Sequence, residues 1–159
     1  MNFMLPYKHR VGGMVCSSTP DHSQQVFSHR SDSDGIVRHW DVSLLHEFCR
    51  CTGRGHSTPH KTKIRIKQEQ ARFLLQYSGV EQPHLIRLSA DRLREPGILV
   101  MLPDDTGIIV DGNHRYVRRW QLGFRSMLFF VFTLEQAALA ELAIPEDLAP
   151  GLVTPGAVV

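Results

Sequence analysis

Three short apolar runs constrain this chain more than anything else in it: Gly97 to Leu102 (GILVML), Ile108 to Val110, and Met127 to Phe132 (MLFFVF). Runs of that length rich in β-branched and aromatic side chains suit buried strands better than helices. Pro96 and Pro103 bound the first, and PDDTG returns the chain into the second, as short Asp/Gly linkers do between antiparallel strands. Between the second and third runs lies DGNHRYVRRWQLG, Asp111 to Gly123. Its Asp-Gly pair breaks the strand, because glycine tolerates the backbone angles of a sharp turn. A helix over about Asn113 to Leu122 follows, burying Tyr116, Val117 and Trp120 and stopping at Gly123.

The start of that helix is where a ligand is expected. A loop entering a helix aims unpaired backbone N–H groups and the positive end of the helix dipole at one point, a geometry that holds phosphate or another anion. Gly112, Asn113, His114, Arg115 and Arg118 are the candidate nucleotide- or phosphate-binding residues. Arg115 offers a planar fork suited to phosphate oxygens. His114 suits a ligand donor, a general acid or base, or a support for its neighbours. Asp111 either holds a metal ion, acts as a base, or fastens the turn. The bland alternative is a capped turn in which Asp111 or Asn113 caps the helix and His114 and Arg115 are merely solvated.

The string VDGNHR, with a strand before it and a helix carrying Arg118 and Arg119 after it, resembles the signature of ParB/sulfiredoxin-like domains. The likeness extends from about Lys63 to Phe132. It implies an α/β (α+β) domain with a small mixed sheet flanked by helices, and a loop that binds nucleotide or phosphate through the positions of Gly112 and Arg115. Sulfiredoxins carry a reactive cysteine directly before the His-Arg pair, where this chain has Asn113, so sulfinic-acid reduction is excluded. The activity implied is phosphoryl transfer, or hydrolysis of a phosphoester or nucleotide, with Mg2+ and ATP, ADP or CTP as cofactors. His114 and Asp111 are the expected catalytic groups, with Glu95 or Asp91 contributing a carboxylate from the preceding turn. The alternatives are a DNA- or nucleotide-binding regulatory module without chemistry, and a tailoring enzyme on a modified base or small metabolite. No helix-turn-helix segment follows, which weighs against a partition-like role.

The remaining segments fill in around this motif. Residues 1–35, rich in Ser, His, Gly and Asp, show neither helical nor strand periodicity and are expected to be a loose arm. One domain is expected over 36–143, and the proline-bearing 144–159 as a tail. Val37, Trp40, Leu44, Leu45 and Phe48 fall at helical spacing, with the helix over Val42 to Cys49 and Asp41 or Ser43 capping it. Lys63 to Lys67 (KIRIK) alternates apolar and basic as a half-buried strand does. Gln68 to Tyr77 reads as a helix stopped by Gly79, His84 to Leu88 as a brief strand or turn, and Ser89 as the cap of one helical turn. Thr133 opens a last helix, Leu134 to Leu142.

Charge and cysteines narrow the function classes. Residues 1–67 hold 10 Lys/Arg against 5 Asp/Glu, and 68–159 hold 8 against 11, so the front half is basic within a chain of net charge +2. Lys63, Arg65 and Arg119 are candidate contacts for substrate or DNA, though no aromatic residue is interleaved with KIRIK to stack bases. His46, Cys49, Cys51, His56 and His60 offer zinc-type ligands, but a one-residue gap between cysteines does not match the common zinc modules, and zinc is not expected. No run reaches the roughly 18 apolar residues of a membrane span. The three cysteines form no disulfide framework. The expected setting is cytoplasmic.

Overall fold

The apolar runs do form strands, and the chain around them divides into two compact units. The structure, a computed structural model, describes residues 9–11, 14–16, 26–31, 34–50 and 58–143. Cys51, His56 and the expected tail from Ile144 onward lie outside them.

In the first unit His9–Val11 (β1) pairs antiparallel with Met14–Cys16 (β2), and Val26–Arg30 (β3) with Val37–Asp41 (β4). β3 lies inside the stretch expected to be a loose arm, so that expectation is corrected for these residues. Ser28 and His29 are polar, which hides the strand from any hydropathy pattern, yet both are buried. Ser28 is tolerated inside because its hydroxyl lies 2.6 Å from Nδ1 of its cross-strand partner His39. Phe27 and Trp40 stack beside them at 6.3 Å. The helical spacing from Val37 is also corrected: β4 runs to Asp41, whose carboxylate accepts from the Leu44 N–H and caps Val42–Arg50 (α1).

The second unit, described over Pro59–Leu134, holds His60–Arg65 (β5), Gln68–Tyr77 (α2), Gln82–Ile86 (α3), Ala90–Arg94 (α4), Gly97–Met101 (β6), Gly107–Asp111 (β7), Asn113–Gln121 (α5) and Ser126–Thr133 (β8). The strand order is β5-β8-β6-β7. β8 runs antiparallel to β5 and parallel to β6, and β6 and β7 form the expected hairpin. The architecture is mixed α/β, as the sequence indicated. Ile109, Leu99, Val131, Phe129 and Met127 form the core with Ala71 and Leu74 of α2, Leu85 of α3, and Tyr116 and Val117 of α5. His84 to Leu88, expected to be a strand or turn, instead belongs largely to α3. Pro83 in the first turn fixes a helical φ there and forfeits only an N–H that has no partner in a helix.

After β8 comes Leu134–Ala138 (α6), shorter than the expected helix to Leu142. The chain beyond it is captured by β4 within the first unit. Asp41 N–H donates to Ala140 and Leu142 N–H to His39, with Glu141 bridged to Trp40. Among the described residues no helix is long and apolar enough to cross a membrane.

One contact ties the motif helix to the rest of its unit. Tyr116 is fully buried, and its hydroxyl accepts from the Lys67 N–H at 2.8 Å and lies 3.2 Å from Gln70 Oε1. A side chain of α5 thus satisfies an N–H at the start of α2, where no local cap does. Burial raises the phenol's pKa, so it stays protonated. Tyr116→Phe removes this hydrogen bond and is expected to cost about 1–2 kcal/mol; urea unfolding of the two proteins checks it.

Candidate functional site

The motif sits at one end of the four-stranded sheet, where β7 stops and α5 begins. Gly112 occupies the N-cap with φ of 105°, a conformation L side chains rarely adopt. It is also packed: a Cβ there would lie 3.0 Å from Met127 Cε and 3.1 Å from Gly97 Cα. Asn113 does not cap the helix through its oxygen, and the N-cap position falls to Gly112, while Asp111 Oδ2 accepts from Arg115. The N–H groups of Asn113, His114 and Arg115 have no intrahelical acceptor by their position. At the other end Gly123 (φ 80°) closes the helix, with Gly123 N–H donating to Trp120 and Phe124 N–H to Arg119.

Arg115 is turned inward. Its side chain is 8% exposed, with Nη2 donating to Asp111 Oδ2 at 2.7 Å and Nη1 to Glu95 Oε2 at 2.9 Å. Arg92 approaches the same Glu95 oxygen at 3.3 Å. Three residues singled out from sequence as separate candidates, Asp111, Arg115 and Glu95, are therefore one charge network. The guanidinium is already neutralised by carboxylates, so it is not an open fork at the helix entrance.

His114 is half-buried, and its ring meets that of His84 on α3 edge-on at 4.6 Å. Burial lowers its pKa first and His84 adds to the effect, while Glu81 and Asp111 oppose it. The imidazole is thus neutral at pH 7, able to donate from one nitrogen and accept at the other. Asn113 Oδ1 is buried with no hydrogen-bond partner among the described residues, as are Arg115 Nε and Arg118 Nε.

No protein-family model, curated protein or solved structure matches this chain. What the site can do is read from its own geometry.

The other sequence candidates separate clearly. Arg118 lies in the last turn of α5, 3.4 Å from Gln121 Oε1, away from the N-terminal loop. Arg119 is held by the Ser126 and Leu93 carbonyls and covers the Phe124 ring, a fastening for the helix rather than an open contact. Lys63 and Arg65 are exposed on β5, and Asp91 is exposed on α4. Among the described residues no group of three His, Cys, Asp or Glu is assembled around a common point. His84 was missed: thirty positions before His114, it shares no local pattern with it, and only the packing of α3 on α5 joins them.

The lowered His114 pKa gives a prediction with a defined sign. Below the ordinary value of 6.5 the unfolded chain takes up a proton that the folded chain resists, so the stability tied to this group is complete above about pH 6.5 and falls with pH below it. The His114 ring resonances are expected to titrate with a midpoint under 6.5. A midpoint at or above that value contradicts the burial account. His39, lowered by burial alone, is expected to behave in the same direction.

Proposed function

We propose that the start of α5 binds the phosphates of a nucleotide, or of another phosphorylated substrate, and that the protein is an enzyme of phosphoryl transfer or phosphoester hydrolysis. The observation that carries this is the set of groups at one helix end: first-turn N–H groups with no intrahelical acceptor behind a packed Gly112, a neutral His114, and the Asn113 amide, whose NH2 can donate. Backbone donors and the helix dipole meet phosphate oxygens without side-chain charge. The unprotonated nitrogen of the neutral His114 ring takes a proton from the attacking hydroxyl or water. Arg115 positions Asp111 and Glu95 and does not itself grip the substrate.

Magnesium fits this reading as an ion carried on the nucleotide's phosphates, because it favours phosphate oxygens, water and one or two carboxylates over an all-protein cage. Asp111 and Glu95 are the carboxylates at hand. A cytoplasmic nucleotide pool is the setting we favour.

The test is a thermal-shift series with ATP, ADP, CTP and inorganic phosphate, with and without magnesium. A ligand at 100 times its dissociation constant adds about 2.7 kcal/mol, roughly 5–10 °C for a chain of this size. His114→Ala and Asn113→Ala are expected to abolish the shift while melting near the wild type without ligand. Arg115→Ala is a poor probe, since it disturbs the network as well as the site. If no phosphate compound raises the melting temperature, the proposal is withdrawn. A second reading, a nucleotide-binding module without chemistry, is favoured by the closure of Arg115 onto two carboxylates; it predicts the same shift and no turnover of the stabilising nucleotide.

A further inference from the structure

Among the described residues β5 is an edge strand, and its faces differ in chemistry. Lys61, Lys63 and Arg65 point to one face and are all exposed, while Ile64 between them packs toward the core. Alternate residues of a strand lie about 6.6–6.8 Å apart, so the three cations form an evenly spaced row. The register with β8 sets an apolar row directly beside it: Lys61 pairs with Phe130, Lys63 with Leu128 and Arg65 with Ser126. Phe130 and Leu128 are half-buried, and Lys61 Nζ lies 4.8 Å from the Phe130 ring centre. The aromatic group missing from KIRIK is therefore supplied by the neighbouring strand. Residues 59–134 carry 12 Lys/Arg against 7 Asp/Glu, a net +5, whereas the rest of the chain carries 6 against 9, a net −3.

We infer that this edge of the sheet, formed by β5 and β8, binds a single strand of nucleic acid, with successive phosphates along Lys61, Lys63 and Arg65 and a base against Phe130. An evenly spaced cationic row tracks a polyanion of regular charge spacing, and an adjoining ring offers the sequence-tolerant stacking surface that single-strand binders use. A duplex keeps its bases stacked on one another and has no use for the ring. Lys61, on a flexible stem, yields the ring to a base. The row is separate from the start of α5: β5 and β7 are opposite edges of the sheet, and Met127, which approaches Gly112, alternates with Ser126 and lies on the other face. The binding edge therefore stands independently of the function proposed above.

Fluorescence anisotropy of a labelled oligothymidylate, across a salt series, tests the inference. Three phosphate contacts predict a slope of log K against log salt of roughly −2, and Lys63→Ala is expected to reduce that slope by about 0.7. Replacing Lys61, Lys63 and Arg65 together by alanine is expected to remove binding while the melting temperature holds, because all three are exposed. Phe130→Leu keeps the apolar bulk and is expected to weaken binding about fivefold or more with the slope unchanged. Arg94→Ala, an exposed cation off this face, is the control and leaves affinity as it was. Binding by the triple variant equal to the wild type overturns the inference, and so does a duplex of equal length bound as tightly as the single strand. Oligothymidylate binding that survives in His114→Ala, beside a failure of nucleotides to stabilise the wild type, sinks the α5 site alone.

Discussion

Replacing Arg115 by alanine is expected to destabilise the protein by roughly 2–3 kcal/mol, because removing one partner of a buried ion pair strands the other. The full penalty for such a loss is larger, but Glu95 is 45% and Asp111 23% exposed at the side chain, and water repays part of it. Arg115→Lys is expected to recover little, since an ammonium is a point donor and cannot hold two carboxylates in the fixed fork that Nη1 and Nη2 present. Urea unfolding of wild type, Arg115→Ala, Glu95→Ala and the double variant measures the coupling. If the two single losses simply add, Arg115 and Glu95 are not a unit and the network has been misjudged. This outcome decides how activity data are interpreted: an inactive Arg115 variant reports a displaced Asp111 as readily as a lost phosphate contact.

Gly97→Ala is expected to be at least as damaging, at about 3 kcal/mol, the upper end of the usual overpacking range. A Cβ on Gly97 would lie 2.5 Å from Phe129 Cε1 and 2.7 Å from the Asp111 carbonyl oxygen. The ring belongs to the central strand and the carbonyl to backbone, so neither gives way cheaply. Gly97 also lies against Gly112, so the disturbance passes straight to the start of α5. Calorimetric melting checks the size of the loss. A fall of less than about 1 kcal/mol would mean that β6 can slide away from β7 at its bulge between Ile98 and Leu99.

Hydropathy located the second unit well because three of its strands, β6, β7 and β8, are uninterrupted apolar runs and its two longer helices end at glycine. Gly79 and Gly123, with φ of 65° and 80°, stop α2 and α5 where expected. β3 was invisible for the opposite reason, since Ser28 and His29 are interior yet carry the polarity of a surface loop. At the site, local residues were legible and their partners were not. Asp111, Gly112 and Arg115 stand in one short string, whereas Glu95 and His84 lie 20 and 30 positions from their partners Arg115 and His114 and meet them only in the fold. Arg119 shows the same limit from the other side: a cation beside a motif looks like a substrate contact until two carbonyls and a ring are found to hold it.

The place of β8 in the sheet has a consequence for how the protein is made. Of the strands in its sheet it is the last in sequence, yet it lies between β5 and β6 and, among the described residues, is the one strand that joins β5 to the β6–β7 hairpin. At a ribosome's pace of about 5–20 residues per second, β5 is complete roughly 3–14 s before its partner has been synthesised. During that interval it is a strand with two open edges, and its alternating lysines and arginine keep it dissolved and repel a second copy of itself. Nascent chains stalled before Ser126 are therefore expected to stay sensitive to protease across residues 59–111, and to gain resistance in one step once Thr133 has cleared the exit tunnel.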